Sequence, residues 1–159
     1  MNVLSLFDGM SCGQIALNRL RIKIDKYYAS EVDKSAIKIS STKFPNMIHL
    51  GNVMNVNVSN LEPIDLLIGG SPCTDLSIIG RQQGLITKDK IEITTLKQYL
   101  ELKENGMQFE GQSFLFWEYL RILKEIQQYN PNIKFLLENV VMPKKWEKIF
   151  SENLGCEPI

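Results

Sequence analysis

Hydrophobic and polar positions alternate along the chain in short blocks of two kinds. Residues 3–7 (VLSLF) are an apolar run that breaks at DGMSCG, a turn with two glycines. Residues 14–22 (QIALNRLRI) then place Ile15, Ala16, Leu20 and Ile22 at spacings compatible with a helix. A second run, KYYAS, ends at Glu31, and Asp33 offers an N-cap for a helix over 33–44 with Ala36, Ile37 and Ile39 on one face. MIHL reads as a third strand. IDLLIGG reads as a fourth, nearly continuous in apolar residues as expected of a strand covered on both faces. The strongest helical pattern runs over 113–128, with Ser113 as its cap and Phe114, Phe116, Trp117, Leu120, Ile122, Leu123 and Ile126 as its apolar positions. IKFLLENV is a fifth strand, and KKWEKIFSENLG is a last helix closed by Gly155. Residues 87–110 fall outside this alternation; polar and mixed in charge, they read as an insertion.

Strand and helix in repeated alternation predict an α/β fold, a mostly parallel sheet with helices on both faces. In such sheets a ligand sits beyond the carboxyl ends of the strands. The residues with unusual chemistry fall there: Asp8-Gly9, Glu31, Gly51-Asn52, Ser71-Pro72-Cys73 and Glu138-Asn139.

Composition narrows the function. With 159 residues the chain suits one domain, and its 44% apolar content is ordinary for a globular protein. Lys+Arg and Asp+Glu balance at 18 each, so bulk positive charge does not drive nucleic-acid binding. No apolar run approaches the length needed to span a bilayer, and no secretory pattern opens the chain, so no membrane partner and a cytoplasmic location are expected. Cys12, Cys73 and Cys156 are far apart and form no C-x-x-C pair, and His49 is the single histidine. That set cannot supply the clustered ligands of a structural zinc site, so no metal is expected. Cys73, directly after a proline at a strand end, is left as either packing or a nucleophile.

The glycines at 9 and 13 do not make the G-x-G-x-x-G pyrophosphate fingerprint. Their looser turn suits a nucleoside without phosphates, with the helix N-terminus free to receive a carboxylate. Glu31 ends the second strand, 23 residues after Asp8, where an acidic side chain commonly binds ribose hydroxyls.

With Cys73 and Glu138 added, the sequence resembles the cytosine-5 DNA methyltransferases. The matching motifs are FDGMSCG, SEVD, GNV at 51–53, GGSPC at 69–73 and ENV at 138–140, in the family's order. SPCTDLS and ENVV look closest to the animal de novo branch and its bacterial and phage relatives, which points to a bacterial or phage-encoded protein. The resemblance implies a Rossmann-like S-adenosylmethionine-dependent methyltransferase fold, with S-adenosylhomocysteine as product and double-stranded DNA as partner. It assigns Phe7, Asp8, Gly9, Met10, Ser11 and Gly13 of the first turn to the cofactor, with Glu31 and Val32 at the ribose, Asn52 and Val53 at the adenine, and Ser71 beside them. Cys73 would attack C6 of a flipped cytosine, Glu138 would engage N3 and the exocyclic amine, and Pro72 and Asn139 would complete the catalytic set. TDLSIIGRQQGL would be a closing loop, with Arg81 as a phosphate contact.

Three departures stand out. Asn52 replaces the usual Asp, which removes charge from the adenine contact. The stretch 87–110 has no counterpart in the shorter family members. No Q-x-R-x-R motif or target-recognition segment follows, so the chain reads as the N-terminal part of a catalytic domain, truncated or split, with a complementary C-terminal chain as a further partner. Two alternatives stay open: a transfer-RNA cytosine-5 methyltransferase on the same motifs, and a non-catalytic S-adenosylmethionine-binding regulatory module.

Overall fold

All five apolar runs become strands of one parallel sheet. The computed structural model describes residues 1–77 and 84–159. Its strands are β1 (Asn2–Leu6), β2 (Lys26–Ser30), β3 (Ile48–His49), β4 (Leu66–Gly70) and β5 (Lys134–Glu138), and its helices are α1 (Cys12–Arg19), α2 (Lys34–Lys43), α3 (Leu96–Glu104), α4 (Phe116–Gln127) and α5 (Lys144–Leu154). The sheet order is β3-β2-β1-β4-β5, and every neighbouring pair is parallel. The order reverses between β1 and β4, which makes that pair the topological switch point. The chain runs from β1 to β2 to β3 in one direction along the sheet and from β4 to β5 in the other.

The chain divides into two compact units, Met1–Gly70 with Ile122–Glu138, and Ser71–Arg121 with Asn139–Ile159. The first holds the sheet. Val3, Leu17, Tyr27, Ala29 and Met47 form its buried cluster, with Phe44, Leu66 and Ile68 packed against them. Leu6 lies opposite Ser30 on one side and Gly69 on the other, and Gly70 lies opposite Glu138. On α1 the buried residue is Leu17, not the expected Leu20 and Ile22, which are exposed. The helix ends at Arg19, and Arg21 turns the chain through a left-handed φ of 57°, so those two residues leave the helical face. On α2, Asp33 caps as expected by accepting from the Ala36 N–H at 2.7 Å. Ile39 is half exposed because it sits about 200° around the helix from Ile37, off the face shared by Ala36, Ile37 and Ser40.

The second unit is built around aromatic rings. Phe116 stacks on Phe150 with centroids 3.7 Å apart, and Tyr99 packs against Phe109 at 5.0 Å and Trp117 at 6.4 Å. Phe116 and Trp117 are fully buried, in agreement with their reading as core. Residues 87–110 contribute α3, capped by Thr95, and an antiparallel bridge between Thr87 and Phe109. Thr87, Ile93 and Tyr99 within this stretch are buried, so it supplies part of the unit's core.

Candidate active site

The turn after β1 is built from three residues in left-handed backbone: Phe7 at φ 56°, Gly9 at 56° and Ser11 at 64°. Non-glycine residues adopt this conformation only where surrounding bonds compensate, and Asp8 supplies them. Its Oδ1 accepts from the Tyr27 hydroxyl at 2.8 Å, its Oδ2 accepts from the Ser11 hydroxyl, and its carbonyl accepts from the Ser11 N–H at 3.0 Å. Burial, aided by the Asp8 charge, pushes the Tyr27 phenol far above its ordinary value, so it remains a donor to Asp8. In the first turn of α1, a Cβ on Gly13 would stand 2.3 Å from the Ile68 side chain, so the glycine lets the helix approach β4.

Glu31 ends β2 with its carboxylate held by three main-chain donors. Oε2 accepts from Gly9 N–H at 2.7 Å, and Oε1 accepts from Val32 at 2.7 Å and Asp33 at 2.8 Å. Two carboxylate oxygens offer about four acceptor sites, so one remains for a ligand hydroxyl. Gly9 and Gly51 have open space where a Cβ would stand. Met10 and Val32, 51% and 65% exposed, present apolar surface at the ends of adjacent strands. Ser30 donates to the Gly51 carbonyl at 2.8 Å, tying β2 to the turn that carries Asn52. The Asn52 side-chain carbonyl accepts from Met54 N–H at 2.9 Å and keeps a second lone pair free, beside the buried Val53. A carboxylate with one acceptor site left, an amide acceptor, flanking apolar side chains and an open glycine turn form a set of groups that fits a nucleoside.

The turn after β4 lies in the second unit. Ser71 is buried and bound by Asn139, whose amide nitrogen donates to the Ser71 hydroxyl at 2.9 Å and to its carbonyl at 3.2 Å. The Asn139 oxygen accepts from its neighbour's Val140 N–H at 2.9 Å, which fixes the amide orientation. Pro72 follows Ser71 and restricts φ ahead of Cys73. The Cys73 carbonyl accepts from the Leu76 and Ser77 N–H groups at 2.9 and 3.0 Å, which closes a turn. Cys73 itself is partly exposed, whereas Cys12 and Cys156 are exposed.

Glu138 ends β5 in the first unit, exposed, with its Oε2 folded toward Gly70; a Cβ on Gly70 would stand 2.7 Å from that oxygen. The missing side chain at Gly70 therefore makes room for the Glu138 carboxylate.

Two acidic residues escaped the sequence reading. Asp75 is buried and accepts from the Gln112 N–H at 3.0 Å, the Ser113 N–H at 3.2 Å and the Ser113 hydroxyl at 3.1 Å. Ser113 is thus not the expected cap of the long helix: its hydroxyl is turned to Asp75, and a single 3-10 turn over Ser113–Leu115 precedes α4. Glu118 is fully buried on α4 and accepts from Tyr99 OH and Lys103 Nζ, both at 2.5 Å, and from Arg121 Nε at 2.8 Å. A buried acid in the middle of an apolar helical pattern was the available signal for it. The expected closing loop and Arg81 fall largely on residues 78–83, outside the described residues. His49 lies on β3 with Nε2 2.9 Å from the Ser41 hydroxyl. Among the described residues no group of His, Cys, Asp and Glu could hold a metal ion, and no helix is long and apolar enough to cross a membrane.

Known proteins share this fold. Two solved structures match almost the whole chain at low identity: Dnmt2 methyltransferase of S. pombe (TM-score 0.56, 19% identity, 98% of this chain and 40% of that one) and a Spodoptera frugiperda DNMT2 mutant (TM-score 0.55, 16% identity, 97% and 40%). The orphan methyltransferase M.SPRI of Bacillus phage SPR is 31% identical over 112 residues, 69% of this chain and 25% of the relative. The DNA (cytosine-5)-methyltransferase DRM2 of Oryza sativa is 29% identical over 139 residues, 80% of this chain and 20% of the relative. The chain therefore spans a quarter or less of these relatives' length. The family model for C-5 cytosine-specific DNA methylase matches residues 1–149, and the chain belongs to that family.

Proposed function

We propose that this chain carries the methyl-donor site and the nucleophile of a DNA cytosine-5 methyltransferase. Residues 1–159 would act as the N-terminal part of its catalytic domain, with 87–110 as an insertion, and target recognition would come from outside these residues. The observation that carries this is the strand register: Gly70 pairs with Glu138, and Cys73 lies three residues beyond Gly70.

When bound, S-adenosylmethionine supplies an electrophilic sulfonium methyl group and leaves as S-adenosylhomocysteine. Glu31 orients the ribose through its remaining acceptor site, and Asn52 accepts from the adenine amine. Cytosine C5 is too weak a nucleophile to take a methyl group unaided. The Cys73 thiolate adds to C6 and forms an S–C bond, which raises electron density at C5. Glu138 shares a proton with N3 and so stabilises the charge displaced from C6. After C5 takes the methyl group it loses its proton to a base, the S–C bond breaks, and the thiolate of Cys73 is regenerated. Asn139 and Pro72 act by fixing the backbone around Ser71 and Cys73. The cytosine must leave the stack first, at a cost of a few kcal/mol.

The test uses duplex DNA containing 5-fluorocytosine, which cannot lose the group at C5 and so traps the S–C adduct. The chain is assayed alone and with a recognition region supplied in trans. An adduct on the Cys73 peptide, absent in Cys73→Ser, is the expected result; an adduct that persists in Cys73→Ser sinks the assignment. Glu138→Gln keeps the shape and removes the acid, and is expected to slow methyl transfer by roughly 10² to 10⁴. Methyl transfer to transfer RNA in place of duplex DNA would favour the RNA-directed alternative.

A further inference from the structure

Asp75 lies two places after Cys73, within SPCTDLS, and the sequence reading gave it no catalytic or cofactor role of its own. We infer that Asp75 is a positioning residue for the nucleophile, and that through Asp75 the stretch preceding α4 controls the geometry of the Cys73 turn. The inference rests on Cys73 being the nucleophile.

Asp75 is fixed at its side chain, its N–H and its carbonyl. Its carboxylate accepts the two main-chain N–H groups and the hydroxyl at 112–113, its own N–H donates to the Ser113 hydroxyl at 3.3 Å, and its carbonyl accepts from Gly84 N–H at 2.9 Å. Asp75 and Ser113 are 4% and 0% exposed, so these bonds have little competition from water. Asp75 sits inside the turn closed by the bonds from Leu76 and Ser77 to the Cys73 carbonyl. Moving Asp75 therefore moves Cys73.

Gly111 makes the approach of the two segments feasible. It has a left-handed φ of 63°, and any Cβ there would overlap the Asp75 carboxylate. The segment that meets Asp75 is also the exit of the 87–110 stretch, whose ends are joined by the Thr87–Phe109 bridge and by Glu110 N–H donating to the Ile86 carbonyl at 3.0 Å. The insertion thus has a role for the nucleophile: it delivers Gly111, Gln112 and Ser113 to Asp75. A simple buried anchor would affect stability alone. A positioning residue also changes the reactivity of one particular thiol.

The experiment is alkylation of the intact chain by iodoacetamide at one fixed pH, read peptide by peptide, with the exposed Cys12 and Cys156 as internal reference thiols. In Asp75→Asn and Ser113→Ala the alkylation rate of Cys73 is expected to change severalfold, while the reference thiols keep their rates. In an enzyme competent for methyl transfer, the same variants are expected to lower kcat by up to about 10²-fold, the scale of a 1 Å misplacement, with KM for S-adenosylmethionine unchanged. A Cys73 alkylation rate unchanged in folded Asp75→Asn and Ser113→Ala overturns the inference. If Asp75→Asn fails to fold, Ser113→Ala alone decides by the same comparison, because it removes the hydroxyl contacts and keeps the carboxylate. Alkylation needs neither DNA nor methyl donor, so its failure leaves the nucleophile assignment standing. Failure of the fluorocytosine adduct instead removes the assignment without touching the measured coupling.

Discussion

The turn after β1 and the turn after β4 are both short and both follow parallel strands, yet they are held in opposite ways. The first is secured from nearby. Asp8 reaches Ser11 three residues on and Tyr27 nineteen on, and Glu31 binds Gly9 across 22 residues, all in one βαβ unit. The second is secured from far along the chain: Asp75 bonds 37 and 38 residues on, and Asn139 reaches Ser71 across 68. A local turn can form as soon as its own unit folds. A turn held at such separations must wait for α4 and the end of β5, with loop-closure entropy already spent. The turn after β1 is therefore a property of its motif, and the turn after β4 is a property of the second unit.

The largest expected effect that tests this difference lies at Glu118. Its removal leaves Lys103 and Arg121 without their buried partner, and Tyr99 without the acceptor for a phenol that burial and this carboxylate hold well above its ordinary value. Glu118→Ala is expected to cost about 3 kcal/mol, the low end for a broken buried pair because Lys103 keeps some solvent contact. Hydrogen exchange should show the loss in α3 and α5 while β1 and β2 keep their protection. Equal loss in both units would break the comparison.

A smaller effect is expected on the other side. Asp8→Ala removes the acceptor for the buried Tyr27 hydroxyl and for Ser11, at a cost of about 1 to 3 kcal/mol. Denaturant titration measures the cost, and calorimetry should show donor affinity falling with it. The alkylation rate of Cys73 should stay unchanged. If Cys73 responds to Asp8→Ala as strongly as to Asp75→Asn, the two turns are not independent.

The same contrast explains what was legible in the sequence. The strands, the α2 cap at Asp33, the Gly155 stop and the Glu31 position depend on residues close in sequence, and they appear where the pattern puts them. Ser113 was misread because a serine ahead of an apolar helix is the usual cap, and only the fold brings Asp75 to its hydroxyl. Leu20 and Ile22 were misread because a helix was extended past a left-handed turn that the residue Arg21 does not advertise. The buried acids Asp75 and Glu118 were missed because their partners lie on other elements. Asn139, in contrast, was singled out through motif resemblance alone, and its bond to Ser71 lies beyond the reach of local sequence pattern.

The smallest effect concerns Asn52, the position proposed to meet the adenine, where the sequence departs from the family's usual Asp. Asn52 is exposed, and its side-chain oxygen caps a short turn by accepting from Met54 N–H. An aspartate can keep that bond, so Asn52→Asp should leave the fold intact. It converts the neutral acceptor offered to the adenine amine into a charged one, and charge-assisted hydrogen bonds are roughly twice as strong as neutral ones. With a typical net hydrogen bond near 1 kcal/mol, the gain is about 1 kcal/mol, or roughly fivefold in Kd. Because the position is exposed, the gain should shrink as salt is raised. Two ligands separate the causes in calorimetry. S-adenosylmethionine carries a sulfonium charge that S-adenosylhomocysteine lacks. Equal tightening for both places the new charge on the adenine contact; tightening for S-adenosylmethionine alone makes it a long-range attraction to the sulfonium. Tightening for neither would mean that Asn52 does not face the adenine, and that the cofactor turn is less local than its bonds to Asp8 and Glu31 indicate.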